Sequence, residues 1–384
     1  MRSMKTFFLS SALTLSFVFL GCASSDLNKK NEIKLDAFLV SDSLQKTNLA
    51  FRKVNRFTPI IYNEHLIVAN SIDGLVSYNL KNKSIDWRFN IKQGVEAAGF
   101  SAGGTLFVGG LDGNFYSIEL DTGKLNWKFD TKTEIVSEPI LNKGIVYFLN
   151  GANALFSLDA ATGKQLWVYN RQETSTQMTV RGGSRPLIDN GILYIGFSDG
   201  SLVAINSVTG TPQWEVLLNK NSRFKDIDAS PVIENDKIYV NSYDDKLYCL
   251  SKNNGSVLWK SDFGGATAPI ISGDKIIYST AKNNVQSVSK KDGSVLWTVK
   301  NILGIATEPL LFKGFVVVGE SQGSIKFLDL LDGSLKSSFE PGRGVMSKPT
   351  FDKDENFYFI SGEANIYGIK VKNINKSGIS YLAQ

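Results

Sequence analysis

The stretch that decides the fold is GNFYSIELDTGKLNW, residues 113–127, because the chain repeats it. Lined up on the last aromatic, the same pattern returns as GLVSYNLKNKSIDW ending at Trp87, NALFSLDAATGKQLW at Trp167 and GSLVAINSVTGTPQW at Trp214. It continues as DKLYCLSKNNGSVLW at Trp259, NNVQSVSKKDGSVLW at Trp297 and GSIKFLDLLDGSLKSSF at Phe339. An eighth half-unit, ENFYFISGEANIYGIKV, stops without a closing aromatic. All 6 tryptophans of the chain share this one register, which marks an internal repeat with a period near ~40 residues.

Outward from that motif, each unit holds about four short β-runs, seen in the third as EPILN, GIVYFLN, ALFSLDA and QLWVYN. Leu155, Ser157 and Asp159 alternate with Phe156 and Leu158, the period-two pattern of a half-buried strand. Gly123, Gly163 and Gly210 suit a tight turn that needs positive φ. Most units open with proline before an aliphatic residue, as in Pro139-Ile140 and Pro186-Leu187, a position where no ladder donor is lost. Four-stranded units at this period are propeller blades. The last unit lacks its outer strand, and the segment near Leu35–Leu39 is free to supply it, which closes the ring and removes its open edges. The expectation is an all-β, eight-bladed β-propeller of four-stranded antiparallel blades, one domain spanning 35–384.

Of the 384 residues, 42% are apolar and 21% charged, the balance of a globular chain. Without Arg2 and Lys5 the net charge is only +3, and no single-sign block occurs, so nucleic-acid binding has no electrostatic support. Arg2 and Lys5 precede an uncharged run from Thr6 to Leu20, too short to span a bilayer comfortably, which reads as an export leader over 1–21. It ends at Phe19-Leu20-Gly21-Cys22, which resembles the lipobox of bacterial lipoproteins. That resemblance implies lipidation of Cys22, a tether over 22–34 and, with Ala23 next, sorting to the outer membrane; a plain secretory leader is the alternative. The other cysteine, Cys249, lies in the strand-like run KLYCLS and reads as a buried structural thiol.

The repeat's Asp-x-x-Thr-Gly-Lys-x-x-Trp signature resembles the tryptophan-docking motif of propellers related to pyrroloquinoline-quinone (PQQ) dehydrogenases. The resemblance implies that each tryptophan packs on the neighbouring blade near its glycine. Those dehydrogenases use a vicinal cysteine pair and a calcium ion, and this chain has no adjacent cysteines, so no quinone, other cofactor or metal is assigned. A single histidine, His65, excludes a multi-histidine metal site and leaves no pattern for a catalytic triad. Gly-rich GGSR at Gly182 lacks the following Lys-Ser/Thr of a phosphate loop. The balance favours a binding module, not an enzyme.

Function in a repeat protein is sought where the units are irregular. Trp167 to Pro186 is 19 residues and Trp214 to Pro231 is 17, against 10 to 12 elsewhere. The loops that open blades 4 and 5 are therefore lengthened, and loops of one class emerge on one face of a propeller. The first, RQETSTQMTVRGGSRP, offers Met178, Val180 and Arg181; the second, LLNKNSRFKDIDASP, offers Arg223, Phe224, Asp226 and Asp228. Apolar anchors with an arginine beside acids are the ingredients of a protein-binding hot spot, although the same residues could tuck inward or cap turns.

Here the chain resembles the BamB family of outer-membrane assembly lipoproteins, over the leader and nearly all the rest. The family's Leu-x-Leu-Arg-Gly is matched by Met178-Thr179-Val180-Arg181-Gly182, with Met178 and Val180 in place of leucines, and its Asp-x-Asp by Asp226-Ile227-Asp228. The resemblance implies that Met178, Val180, Arg181, Asp226 and Asp228 contact POTRA domains of BamA, the barrel-inserting subunit. It implies a monomeric, non-catalytic scaffold within the β-barrel assembly (BAM) complex, lipid-anchored at the periplasmic face of the outer membrane. Nascent outer-membrane proteins could add strands to blade edges. A PQQ-type quinoprotein and a generic periplasmic ligand-binding propeller are the competing readings.

Overall fold

The structure, a computed structural model, describes residues 33–43, 56–70, 72–171, 183–221, 224–243 and 246–372. The described residues form no helix; 32 strands make eight antiparallel sheets of four strands each. These are the blades of the expected propeller. Blades 1 to 7 occupy 60–90, 100–130, 140–170, 187–217, 232–260, 270–299 and 310–339, and each runs from its inner to its outer strand in chain order. In blade 8 only the inner three strands, over 350–372, come from the C-terminal end. The outer strand is Lys34–Asp42, which pairs antiparallel with Asn365–Lys372 from Lys34↔Lys372 to Asp42↔Asn365.

This closing strand is longer than the expected Leu35–Leu39 and is tied to both neighbours. Ile33 packs into the core between blades 7 and 8, and Leu39 into the core shared with blade 1. Beyond it, the Arg88 guanidinium of blade 1 donates Nη1–H to the Ser43 carbonyl at 2.8 Å. Within each blade the two middle strands are almost wholly buried, while the outer strands alternate between exposed and half-buried residues. The cores lie between blades: Phe115 of blade 2 stacks on Phe148 of blade 3 with centroids 3.8 Å apart. Each such ring removed from water contributes ~1.5–3 kcal/mol.

The tryptophans join the blades as the motif implies. Trp87 donates its indole N–H to the Leu120 carbonyl of the next blade at 3.0 Å, and Trp127 does the same to Ala160 at 3.0 Å. The remaining four follow, with Ser207, Lys252, Lys290 and Leu330 as acceptors. Each indole lies over a turn glycine such as Gly123, whose φ of 70° and lack of a side chain let the ring approach.

A β-bulge recurs at one place in the third strand, and the residue just before it faces the tryptophan across the sheet. The pairs are Ser77↔Trp87, Ser117↔Trp127, Ser157↔Trp167, Ala204↔Trp214, Cys249↔Trp259 and Ser287↔Trp297. That slot accepts only small side chains, which explains Cys249: it is a buried spacer, and burial pushes its thiol up to about 11. In blade 7 the pair is reversed to Phe327↔Ser337. Ser337 therefore holds the tryptophan position, not Phe339 as alignment on the last aromatic suggested. Phe339 instead pairs with Ile325 and packs edge-on against Phe359 and Tyr367 of blade 8. His65 sits on blade 1 with Nδ1 2.8 Å from the Asp86 carboxylate and 3.4 Å from the Ser77 hydroxyl, so both neighbours share one ring nitrogen.

Candidate functional site

The described ends of the lengthened loops opening blades 4 and 5 meet at the mouth of the axial channel. Residues 172–182 are outside the described residues, and with them Met178, Val180 and Arg181; Cys22 and Arg223 are outside them as well. Both ends of the first loop are nonetheless fixed. At its start, Arg171 is paired with Asp199 and reaches Glu215 at 2.5 Å, with its guanidinium 5.3 Å above the Phe197 ring. At its end, the Ser184 hydroxyl donates to the Ala229 carbonyl at 3.3 Å, and the Arg185 N–H donates to the Ser230 hydroxyl at 3.1 Å. Ala229 and Ser230 belong to the second loop, so the two loops are stitched to one another.

The second loop is shaped from within. Asn219 is fully buried; its amide donates to the Ser242 hydroxyl at 2.8 Å and to the carbonyls of Phe224 and Tyr243 at 3.3 and 3.2 Å. Ile227 is buried against Gly196, where a β-carbon would come within 2.3 Å of its side chain. Phe224 is held at φ 51°, a conformation costly for a bulky residue, with its ring edge-on to Tyr243.

This geometry separates the two aspartates that the sequence groups together. Asp226 is closed off from solvent, and its backbone carbonyl accepts the Tyr243 N–H at 3.0 Å. It sits behind the loop and is not displayed on it. Asp228 lines the channel mouth with Arg56, Tyr243 and Ser230. Its Oδ2 is shielded from solvent and accepts no hydrogen bond. Burial, reinforced by the Asp226 carboxylate and opposed by Arg56, pushes the Asp228 carboxyl up to about 8.

A second feature of the channel was not singled out in the sequence. The residue just before each inner strand's opening proline, or before Gly99 in blade 2, points to the axis. Blades 1 to 4 place Thr58, Ala98, Glu138 and Arg185 there. Blades 5 to 8 repeat that order with Ser230, Ala268, Glu308 and Lys348. Two ion pairs result, four blades apart: Arg185 Nη1 to Glu138 at 3.0 Å, and Lys348 to Glu308. They sense each other across the channel. Burial pushes Glu138 above the usual carboxylate range, with Glu308 adding to the push and Arg185 opposing it. Arg185 is held above its ordinary value by Glu138 and Glu308 despite its burial. The signal was present in the sequence as a charged residue before proline in the third, fourth, seventh and eighth units.

The cavity at this mouth measures about 200 Å³. Its wall carries alanines and these charged pairs, all 6 tryptophans are docked at blade junctions away from it, and Cys22 and Cys249 are not adjacent.

Fold and motif together define a tryptophan-docked eight-bladed propeller with an elaborated loop face. The family model described as outer membrane protein assembly factor BamB matches residues 72–299 and 225–377. The chain belongs to that family. A BamB of Kangiella koreensis is 39% identical over 217 residues, 55% of each chain, and one of Shewanella oneidensis is 24% identical over 201 residues, 50% of each. The match thus spans about half the length of these curated relatives. Among solved structures, BamB from Moraxella catarrhalis superposes with a TM-score of 0.73 at 20% identity, covering 88% of this chain and 100% of that one. Quinohemoprotein alcohol dehydrogenase from Comamonas testosteroni gives 0.71 at 13%, covering 92% and 78%. At these identities the structures speak to fold alone.

Proposed function

We propose that the chain is a non-catalytic scaffold subunit of the β-barrel assembly machinery, docking POTRA domains of BamA through the loop face of blades 4 and 5. The observation that carries this is the pair of adjacent lengthened loops, stitched together at the channel mouth, in a member of the BamB family. Met178, Val180 and Arg181 supply the contact surface. Asp228 forms its floor, and Asp226, buried behind the second loop, positions that loop. A lipid on Cys22 confines the propeller to the periplasmic face of the outer membrane and raises its effective concentration near its partner. Other subunits and nascent barrels are reached by the same confinement.

Arg181→Glu tests the docking. Copurification with BamA from detergent-solubilised envelopes should be lost while the far-ultraviolet spectrum and melting temperature are kept; undiminished copurification sinks the assignment. Labelled palmitate should enter the parent chain and not Cys22→Ser. The fold shared with a quinohemoprotein dehydrogenase carries no activity with it. Stoichiometric PQQ uptake in the presence of Ca²⁺ would argue for that reading instead.

A further inference from the structure

The pre-proline ring divides the channel. Arg185, Ala268, Glu308 and Lys348 line the small cavity at the loop face and also a second cavity, about 510 Å³, below it. The two chambers differ in chemistry. The upper one contains Arg56, Glu138 and Asp228, which the lower one lacks. The lower one is walled by the inner strands of blades 5 to 8, chiefly Ile233, Ile270, Ile271, Leu310, Leu311 and Phe351. Its remaining wall charge, Glu234, is neutralised by Lys290 at 2.6 Å. Phe351 is 42% exposed although it forms part of this wall, a large apolar surface facing water within a concavity. The volume falls in the range of small-ligand pockets.

The roof selects the sign of the ligand. Arg185 and Lys348 bring about eight N–H donors between them. Their side chains give one hydrogen bond each, to Glu138 and to Glu308. Of these two acids only Glu308 lines the lower chamber, so two cations and one carboxylate look down on it. Surplus donors above an apolar well fit a group of acceptor oxygens carrying one negative charge, with hydrocarbon beneath.

We propose that the lower chamber is a binding site for a small amphiphilic acid: one carboxylate under Arg185 and Lys348, and an apolar body against Ile271, Leu311 and Phe351. The site lies on the opposite side of the ring from Asp228 and does not depend on the docking role of the loop face.

Isothermal titration of the lipid-free chain (Cys22→Ser) with decanoate tests it below the micellar range. Saturable one-site binding is expected, with decyltrimethylammonium, which has the same body and the opposite charge, weaker by at least about tenfold. Leu311→Glu and Phe351→Asp should each weaken decanoate binding by at least about tenfold, because a carboxylate in the well must be desolvated beside the ligand. Phe351→Asp alters a half-exposed residue and guards against a folding defect in the first variant. Lys348→Gln should narrow the gap between the acid and the ammonium. Asp228→Asn, above the ring, should leave both affinities unchanged. No saturable binding, equal binding of the two amphiphiles, or decanoate binding indifferent to Leu311→Glu and Phe351→Asp would each overturn the proposal.

Discussion

Trp87 lies flat against Gly123 of the next blade, so close that a β-carbon on Gly123 would sit 2.6 Å from the indole Cδ2. The contact is repeated at five further blade junctions, with Gly163, Gly210, Gly255, Gly293 and Gly333 beneath Trp127, Trp167, Trp214, Trp259 and Trp297. At each one the indole N–H bond to a backbone carbonyl fixes the ring in the plane that the glycine leaves open.

Gly123→Ala should therefore cost more than a backbone substitution alone. Gly103 also has positive φ, at 56°, but nothing lies within 4 Å of its absent β-carbon. Gly103→Ala should lower stability by about 1 kcal/mol, the strain of the left-handed region. Gly123→Ala carries the same strain and displaces Trp87 as well, and should cost at least about 2 kcal/mol. Urea titration of both variants checks the difference.

The reversed pair in blade 7 predicts coupling. Phe327→Ser empties a fully buried site and should cost about 3–5 kcal/mol. Ser337→Trp alone forces an indole against Phe327 and should also destabilise. The double variant restores the small-facing-large order of the other blades. A double-mutant cycle should give a favourable interaction of more than about 1 kcal/mol, and additive losses would contradict the exchange.

Asp228 predicts a pH dependence whose sign is fixed by its environment. Its folded value of about 8 lies above the unfolded value near ~4, so between these limits the folded chain keeps a proton that the unfolded chain has released. Stability from this group is greatest below pH ~4 and declines as pH rises through about 8. Asp228→Asn removes the carboxylate. Its melting temperature, relative to the parent's, should thus be more favourable at pH ~8.5 than at pH ~5.5. An equal difference at both would remove the burial argument.

Cys249 should be inert to Ellman's reagent in the folded Cys22→Ser chain and react fully on unfolding, since it is buried and its thiol is raised to about 11. Cys249→Ser, the residue that fills this slot in four other blades, should cost less than about 1.5 kcal/mol. Cys249→Phe should prevent folding, because Trp259 occupies the facing position.

The ring and its closure were legible because docking chemistry repeats: an indole needs its glycine, and that need imposes one register on six units. Phe339 misled because an aromatic side chain alone does not set that register. The turn at Gly333 and the bulge after Phe327 do, and across them blade 7 has exchanged large for small. The depth of Asp226 was not legible, since spacing along a loop does not say which residues turn inward. Glu138, Arg185, Glu308 and Lys348 stand in separate units of the repeat, with nothing local to group them. Only a closed circle brings residues so far apart in sequence to one axis.

Completing blade 8 with Lys34–Asp42 also sets a timetable. The Ser43 hydroxyl donates to the Ala364 carbonyl at a sequence separation of 321, among the most distant pairings this chain can make. During synthesis the closing strand emerges first and finds its partner last. Until then blade 8 lacks its outer strand and presents an unsatisfied edge, while blade 1 leaves uncovered the apolar face that blade 8 packs against. Loop closure on this scale makes the final zipping slow compared with the folding of any single blade. The step that makes the ring durable is thus also the one at which the young chain is most open to capture, by its own kind or by a chaperone.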